Sequence, residues 1–260
     1  MTVYPQLESG ALSQFPVKKT RRVRTVVNEA ADGSRVKLAD PAVQVTEWVL
    51  RYTELSDEEA TALRTFFSAT EGTLNSFTFL DPAGNLLAWS EQLDTAVWQK
   101  DPQLSVTGGV TDPRGGAGAW RLSNHGGAEQ SAGQTLASPG EYQYCWSAYV
   151  RSATATSVRL TTGSQSARRA VTSEWTRIAW ASSGDARATS VRFAMEIGAG
   201  DEVEVYGPQV EAQTAPSGYK ASTRGGVYEG AHLGDDSLTI TSTDANRNSC
   251  TVKIIHANHL

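Results

Sequence analysis

The residues of this chain best suited to chemistry lie in the segment Trp120-Arg121-Leu122-Ser123-Asn124-His125, which brings an indole, a guanidinium, an amide and an imidazole close together. An aromatic face can take the apolar side of a pyranose. Amide, carboxylate and guanidinium groups can take its hydroxyls, provided that loops on a rigid scaffold hold them. Arg159, Gln165 and Arg168 carry the same group types further along. Trp120, Asn124, His125, Arg159, Gln165 and Arg168 are therefore the candidate carbohydrate-binding residues. Three other indoles, Trp98, Trp146 and Trp175, are expected to pack inside a core, and Trp120 is open to the same reading.

Other chemistries find little support. The chain has no Gly-x-Ser-x-Gly elbow, His-Glu-x-x-His helix, phosphate loop or Gly-x-Gly-x-x-Gly turn. Its histidines are His125, His232, His256 and His259, and the last pair falls at the C-terminus, where fraying opposes a rigid metal or catalytic site. Carboxylate neighbours such as Asp201 with Glu202 and Asp235 with Asp236 could serve glycoside hydrolysis or hold calcium, but acidic turns account for them more simply. No enzyme activity, metal or cofactor is expected.

At 260 residues, 39% hydrophobic and 20% charged, the chain can build one or two cores, and two domains is the better expectation. A formal net charge of −5 supplies no field for nucleic acid or an anionic membrane. The local exception is a basic run, with Lys18, Lys19, Arg21, Arg22 and Arg24, which could hold phosphate or line a pore but is expected to form a solvated strand face or a subunit contact. No stretch approaches the roughly 20 apolar residues of a spanning helix, and the N-terminus lacks the basic and apolar regions of a secretory signal. Membrane insertion and conventional export are not expected. Cys145 and Cys250, without Cys-x-x-Cys spacing, read as buried free thiols.

The elements that must position these groups are mostly strands. Residues 22–28 and 35–38 flank Asp32-Gly33, whose glycine suits a tight hairpin. Residues 44–52 alternate, with Trp48, Leu50 and Tyr52 on one face and Val45 and Val49 on the other, which predicts a central strand. Ser56 followed by Glu59 is a capping box after Leu55. Leu63, Phe66 and Phe67 make the apolar face of the helix, and Gly72 is its expected left-handed terminator. Residues 76–80 read as a strand. From 85 to 222 the pattern is all-β, with strands at 142–150, 157–161, 175–180, 191–197 and 202–206, as a two-sheet jelly roll would require. Residues 238–241 and 250–255 form one hairpin. A lone hairpin is marginal in water, so it is expected to complete the sheet begun by residues 1–83 rather than pack on the jelly roll. The fold class is thus mainly β, with a discontinuous domain 1–84 plus 223–260 (a β-sandwich or barrel with one helix) and an inserted jelly-roll sandwich, 85–222.

Two resemblances bear on function. Asn85-Leu86-Leu87-Ala88-Trp89-Ser90-Glu91, Trp98 and Tyr206-Gly207-Pro208-Gln209-Val210-Glu211 resemble the opening and closing phrases of carbohydrate-binding, lectin-like jelly rolls in phage tail and fibre proteins. Ala212-Gln213-Thr214 departs from that pattern, where a Gly-Ser pair is usual. The flanking segments are similar to the hub domain of phage distal tail proteins. That likeness rests on Tyr4-Pro5, Arg24-Thr25-Val26-Val27, Trp48-Val49-Leu50-Arg51-Tyr52, Leu63-Arg64-Thr65-Phe66-Phe67 and Phe77-Thr78-Phe79-Leu80-Asp81-Pro82.

Together they imply a structural virion protein of a bacteriophage or gene-transfer-agent tail, assembled in the host cytoplasm. It would be a homo-oligomeric ring, hexameric by the same resemblance, joining tail tube to tip proteins and displaying a module for host adhesion through a surface glycan. Two alternatives remain: a stand-alone carbohydrate-binding module protein, and a tail protein whose jelly roll makes only protein contacts.

Overall fold

A computed structural model describes residues 2–258, the side chains of 41–43 and 258 excepted. It is mainly β with one helix, α1 (Asp57–Thr70), and no helix among the described residues is long and apolar enough to cross a membrane. The chain divides into two compact units, one made of residues up to Pro5, Ser13–Phe79 and the stretch from Tyr228 onward, the other of Gln6–Leu12 and Leu80–Val227.

The first unit is built on one antiparallel hairpin, β1 (Lys18–Glu29) and β2 (Arg35–Leu55). Its turn closes through Gly33 at φ +81°, with Ala30 N donating to Ser34 O at 2.8 Å. The sequence suggested a break after Leu38, yet β2 runs through Pro41 as one strand. The β1 register shifts between Arg22 and Arg24, and β16 (Arg247–Asn258) pairs β2 only from Gln44 onward, so Pro41 lies beyond the β16 ladder. Proline is tolerated in that setting.

The sheet order is β1-β2-β16-β14-β3, with β3 (Phe77–Leu80) and β14 (Val227–Leu233) at one end and β15 (Ile240–Asp244) paired to β16. The C-terminal hairpin β15–β16 therefore completes this sheet, and β2 is central, with Trp48, Leu50 and Tyr52 buried and Val45 and Val49 half-buried.

Helix α1 starts as the capping box requires: Ser56 Oγ accepts from Glu59 N, and Glu59 Oε2 accepts from Ser56 N, each at 3.0 Å. Its end differs by one residue from expectation. Glu71 (φ +50°) is the first left-handed residue and Gly72 (φ +64°) the second. The unit's core is aromatic, with Tyr4 against Phe66 at 5.2 Å and Trp48 against Tyr228 at 4.6 Å, both edge-on.

Among the basic residues of β1, Arg22 pairs with Glu47, Arg21 donates to Gln44 Oε1 at 2.8 Å, Arg24 lies 3.8 Å from Asp40, and Lys19 sits over the Trp48 ring at 5.4 Å. Lys18 is exposed. Cross-strand partners thus take up much of the run's charge. Beyond them, Val23, Val27, Val36 and Leu38 are each at least half exposed on an arm of only two strands.

The second unit is a jelly roll. Its strands are β4 (Gln99–Lys100), β5 (Leu104–Val110), β6 (Ala119–Asn124), β7 (Gln130–Leu136), β8 (Tyr144–Arg151), β9 (Thr156–Thr162), β10 (Gln165–Val171), β11 (Thr176–Ser182), β12 (Val191–Ile197) and β13 (Glu202–Glu211). One sheet has the order β10-β9-β12-β7-β4 and the other β11-β8-β13-β6-β5. The eight strands β6 to β13 thereby nest as pairs 6/13, 7/12, 8/11 and 9/10, which is the order a long hairpin adopts when it is rolled into a sandwich.

Trp98, Trp146, Tyr144, Phe193, Met195 and Leu160 are all buried between the sheets. Three stretches assigned by sequence to the flanking domain, residues 6–12, 80–84 and 223–227, lie in this unit instead. The first is held by Leu12 in the jelly-roll core and by Gln6, whose Oε1 accepts from Gln143 N at 2.8 Å.

Candidate functional site: the outer face of one jelly-roll sheet

The structure does not bring the six candidate sugar-binding residues together. Trp120 faces inward from β6, half-buried against the core, and its Nε1 donates to Glu91 O at 3.0 Å. Asn124 is buried, and its amide is fully engaged by backbone: Nδ2 donates to Ala128 O and Gly198 O at 2.8 Å, and Oδ1 accepts from Gly126 N at 2.8 Å. His125 is exposed, with Nε2 2.9 Å from Ser105 Oγ. Arg159, Gln165 and Arg168 belong to the opposite sheet. There Arg159 and Arg168 are cross-strand partners sharing Glu129, Arg159 also reaches Glu196 at 3.5 Å, and Gln165 is exposed at the start of β10.

A denser arrangement lies on the outward face of β11-β8-β13-β6-β5. In β8, Tyr144, Trp146, Ala148 and Val150 point into the core, so Cys145, Ser147, Tyr149 and Arg151 point out. Arg151 is opposite Glu204 in β13, and Glu204 is opposite Arg121 in β6. Glu204 accepts from Arg151 Nε at 2.5 Å and from Arg121 Nη2 at 2.8 Å, while Arg121 Nε reaches Glu202 at 3.2 Å.

Guanidinium groups also lie on this face's rings: Arg151 over Trp175 at 4.8 Å, Arg177 over Tyr149 at 5.5 Å and Arg114 over Tyr206 at 5.7 Å. Trp175, expected between the sheets, is instead half-buried beside Arg151. The residue after it, Thr176, pairs with the inward Val150, and alternation turns Trp175 outward.

Arg121, Arg151 and Glu204 line a cavity of about 440 Å3 together with residues 107–111 of β5 and its end. The β5–β6 register shifts between Thr107 and Val110, which leaves Gly108 and Gly109 outside the regular ladder. Glycine suits both positions. A Cβ on Gly108 would come within 3.0 Å of the Trp120 ring, and Gly109 has φ +81°. Trp120 therefore backs the groove wall. The groove offers two guanidinium groups, a carboxylate and strand-edge peptide groups, all held on a rigid sheet. Such a set suits a polyhydroxylated ligand.

Burial alone would raise the Glu204 pKa, but its bonds to Arg121 and Arg151 outweigh that and hold it below the ordinary 4.5. A depressed carboxyl stabilises the fold above its unfolded-state pKa, and the contribution is lost as pH falls through the folded-state value. E204Q is accordingly expected to be less stable than the parent near neutral pH. The gap should close as pH drops below 4.5. Urea midpoints across an acid series test this, and a gap independent of pH would refute it.

The other sequence candidates have structural partners. Asp201 accepts from Thr156 Oγ1 at 2.5 Å, Asp235 pairs with Lys253 at 3.5 Å, and Asp236 accepts from Thr73 N at 2.8 Å. His232 Nδ1 lies 3.1 Å from Thr73 O and His256 Nε2 lies 3.0 Å from Glu229 O; His259 is outside the described residues. Among the described residues no group of three or more His, Cys, Asp or Glu could hold a metal. Cys145 and Cys250 are buried free thiols whose pKa values burial raises to about 12 and about 11.

The strand order defines the second unit as a jelly-roll β-sandwich. No family model and no curated protein matches the chain. Solved structures similar to part of it include the enzymatically active domain of tailspike protein 4 from bacteriophage CBA120. That likeness has 13% identity and a TM-score of 0.39, and covers 51% of this chain and 22% of that one. The CBM22-1 xylan-binding domain of Xyn10C from Paenibacillus barcinonensis is similar at 16% identity and a TM-score of 0.42, covering 52% and 98%. TmCBM61, solved with β-1,4-galactotriose, is similar at 14% identity and a TM-score of 0.35, covering 48% and 97%. The jelly roll rests on the nested strand order, not on these likenesses.

Proposed function

We propose that this protein is a structural subunit of a bacterial virus tail or of a tail-derived particle, a ring-forming hub protein whose jelly roll binds a host-surface glycan. The carrying observation is the β1–β2 arm. Val23, Val27, Val36 and Leu38 are at least half exposed there, on a two-stranded ribbon that is marginal when left in water. Neighbouring copies covering such arms would form heterologous contacts, and these close into a ring when the rotation permits. Arg24 lies on the same ribbon, and Lys18, Lys19, Arg21 and Arg22 lie on the part of β1 that leads into it, where they would set its register against the next copy. Several grooves on one ring would turn weak glycan binding into avid attachment. No cofactor, nucleic-acid specificity or catalytic step is part of this reading.

The groove of Arg121, Arg151 and Glu204 favours one rival, a stand-alone carbohydrate-binding protein that needs no ring. Light scattering with negative-stain imaging decides between them. The hub reading expects closed rings from the parent chain and monomers from a Val36→Glu, Leu38→Glu double variant, with glycan-array binding by single protomers unchanged. A parent chain that stays monomeric at every concentration, and stays off purified tail tubes, would overturn it.

A further inference from the structure

We infer that the jelly roll carries a second sugar site, a platform for one terminal hexopyranose built on Trp89 and separate from the Arg151 groove. Trp89 is 37% exposed, although Trp98 and Trp146 of the same unit are buried. Its backbone sits at φ +48°, which is costly for a bulky side chain and persists only where surrounding bonds enforce it.

Those bonds are present. Trp98 Nε1 and Gln92 N both donate to Trp89 O at 3.0 Å, and Trp89 N donates to Thr223 O at 3.3 Å. The next residue is clamped too, since Ser90 N donates to Ser222 O and Ser222 N to Ser90 Oγ, each at 2.9 Å. The indole is thus presented on a fixed backbone.

Trp89 lines a cavity of about 190 Å3 together with Glu91, Gln92, Ala221, Ser222 and Thr223. The lining holds the parts a pyranose requires: a flat apolar face for its C–H side, and a carboxylate, an amide and hydroxyl groups for its hydroxyls. Its size, below that of ordinary drug-sized pockets, suits one sugar ring at a chain end rather than an extended chain. The inference is independent of ring formation and of the groove's ligand, because no residue lines both cavities.

The test uses the full chain and a panel of methyl hexopyranosides of the gluco, galacto, manno and N-acetylglucosamine series, read by saturation-transfer NMR and by titration of indole fluorescence. W89N removes the ring while keeping a residue that tolerates positive φ, and W89F keeps an aromatic face. At least one glycoside should bind the parent in the millimolar range, about tenfold or more weaker to W89N, and within about threefold of the parent to W89F. A thermal melt no lower than the parent's would show that W89N is folded. Three outcomes would overturn the site: no glycoside saturating the parent, equal binding by W89N, or binding that survives W89N and vanishes with R151A, which would place the sugar in the groove.

Discussion

Substituting Asn85 by aspartate is expected to destabilise the jelly roll by about 3 kcal/mol, enough to lower the melting temperature of a domain this size by roughly 6–12 °C. Asn85 is buried and uses its whole amide. Nδ2 donates to Pro208 O at 2.9 Å and Lys220 O at 3.3 Å, and Oδ1 accepts from Leu87 N and Val210 N, both at 3.1 Å. Leu86 N adds a bond to Val210 O at 2.8 Å. Aspartate would turn both donors into a second acceptor facing two carbonyl oxygens, and would bury a charge with no counter-ion among these contacts. N85A should cost less, because it leaves backbone groups unpaired without burying a charge. Calorimetry of the two variants checks the order. A melt for N85D at or above that of N85A would refute the argument from polarity.

This residue also explains why the module is legible in the sequence. The phrase that opens with Asn85 and the phrase around Gln209 are far apart in sequence, yet they form one clasp. Glu211 and Gln209 complete it by accepting from Ser217 N and Lys220 N, at 2.9 and 2.7 Å. Their side chains are fixed by hydrogen-bond geometry, so the residue types are constrained and the sequence displays them. The capping box of α1 was legible because Ser56 and Glu59 are near neighbours in sequence, and the alternation in β2 because a period of two lies within the strand itself.

Strands β5, β6, β7 and β10 were not legible. Gln130–Leu136 and Gln165–Val171 carry small or charged residues where a period of two in bulky side chains would be needed, and β5 is interrupted by Gly108-Gly109. The groove of Arg121, Arg151 and Glu204 was not legible either, on different grounds. Trp120, Asn124 and His125 were chosen by residue type, but type does not give the face, and Trp120 and Asn124 turn inward or into backbone bonds. The strand read at 142–150 stops one residue short of Arg151, which continues its alternation on the face away from Trp146. What that alternation could not give was Glu204, 53 residues away, because that pairing follows from the nesting of β8 against β13.

The second large effect is expected at Trp146, which joins the two sheets by volume and by a bond. Its ring is fully buried in β8, and its Nε1 donates to Ala194 O in β12 of the facing sheet at 3.0 Å. W146A should cost about 3–5 kcal/mol, the usual range for emptying so large a core site. W146F separates the two contributions. It refills most of the space but cannot donate, so it should retain more than half of the lost stability if packing dominates. Ala194 O would lose that donor and keep its 3.4 Å contact with Thr161 Oγ1. A W146F loss as large as that of W146A, read from urea midpoints at constant slope, would mean that the bond between the sheets, rather than the filled volume, fixes their separation.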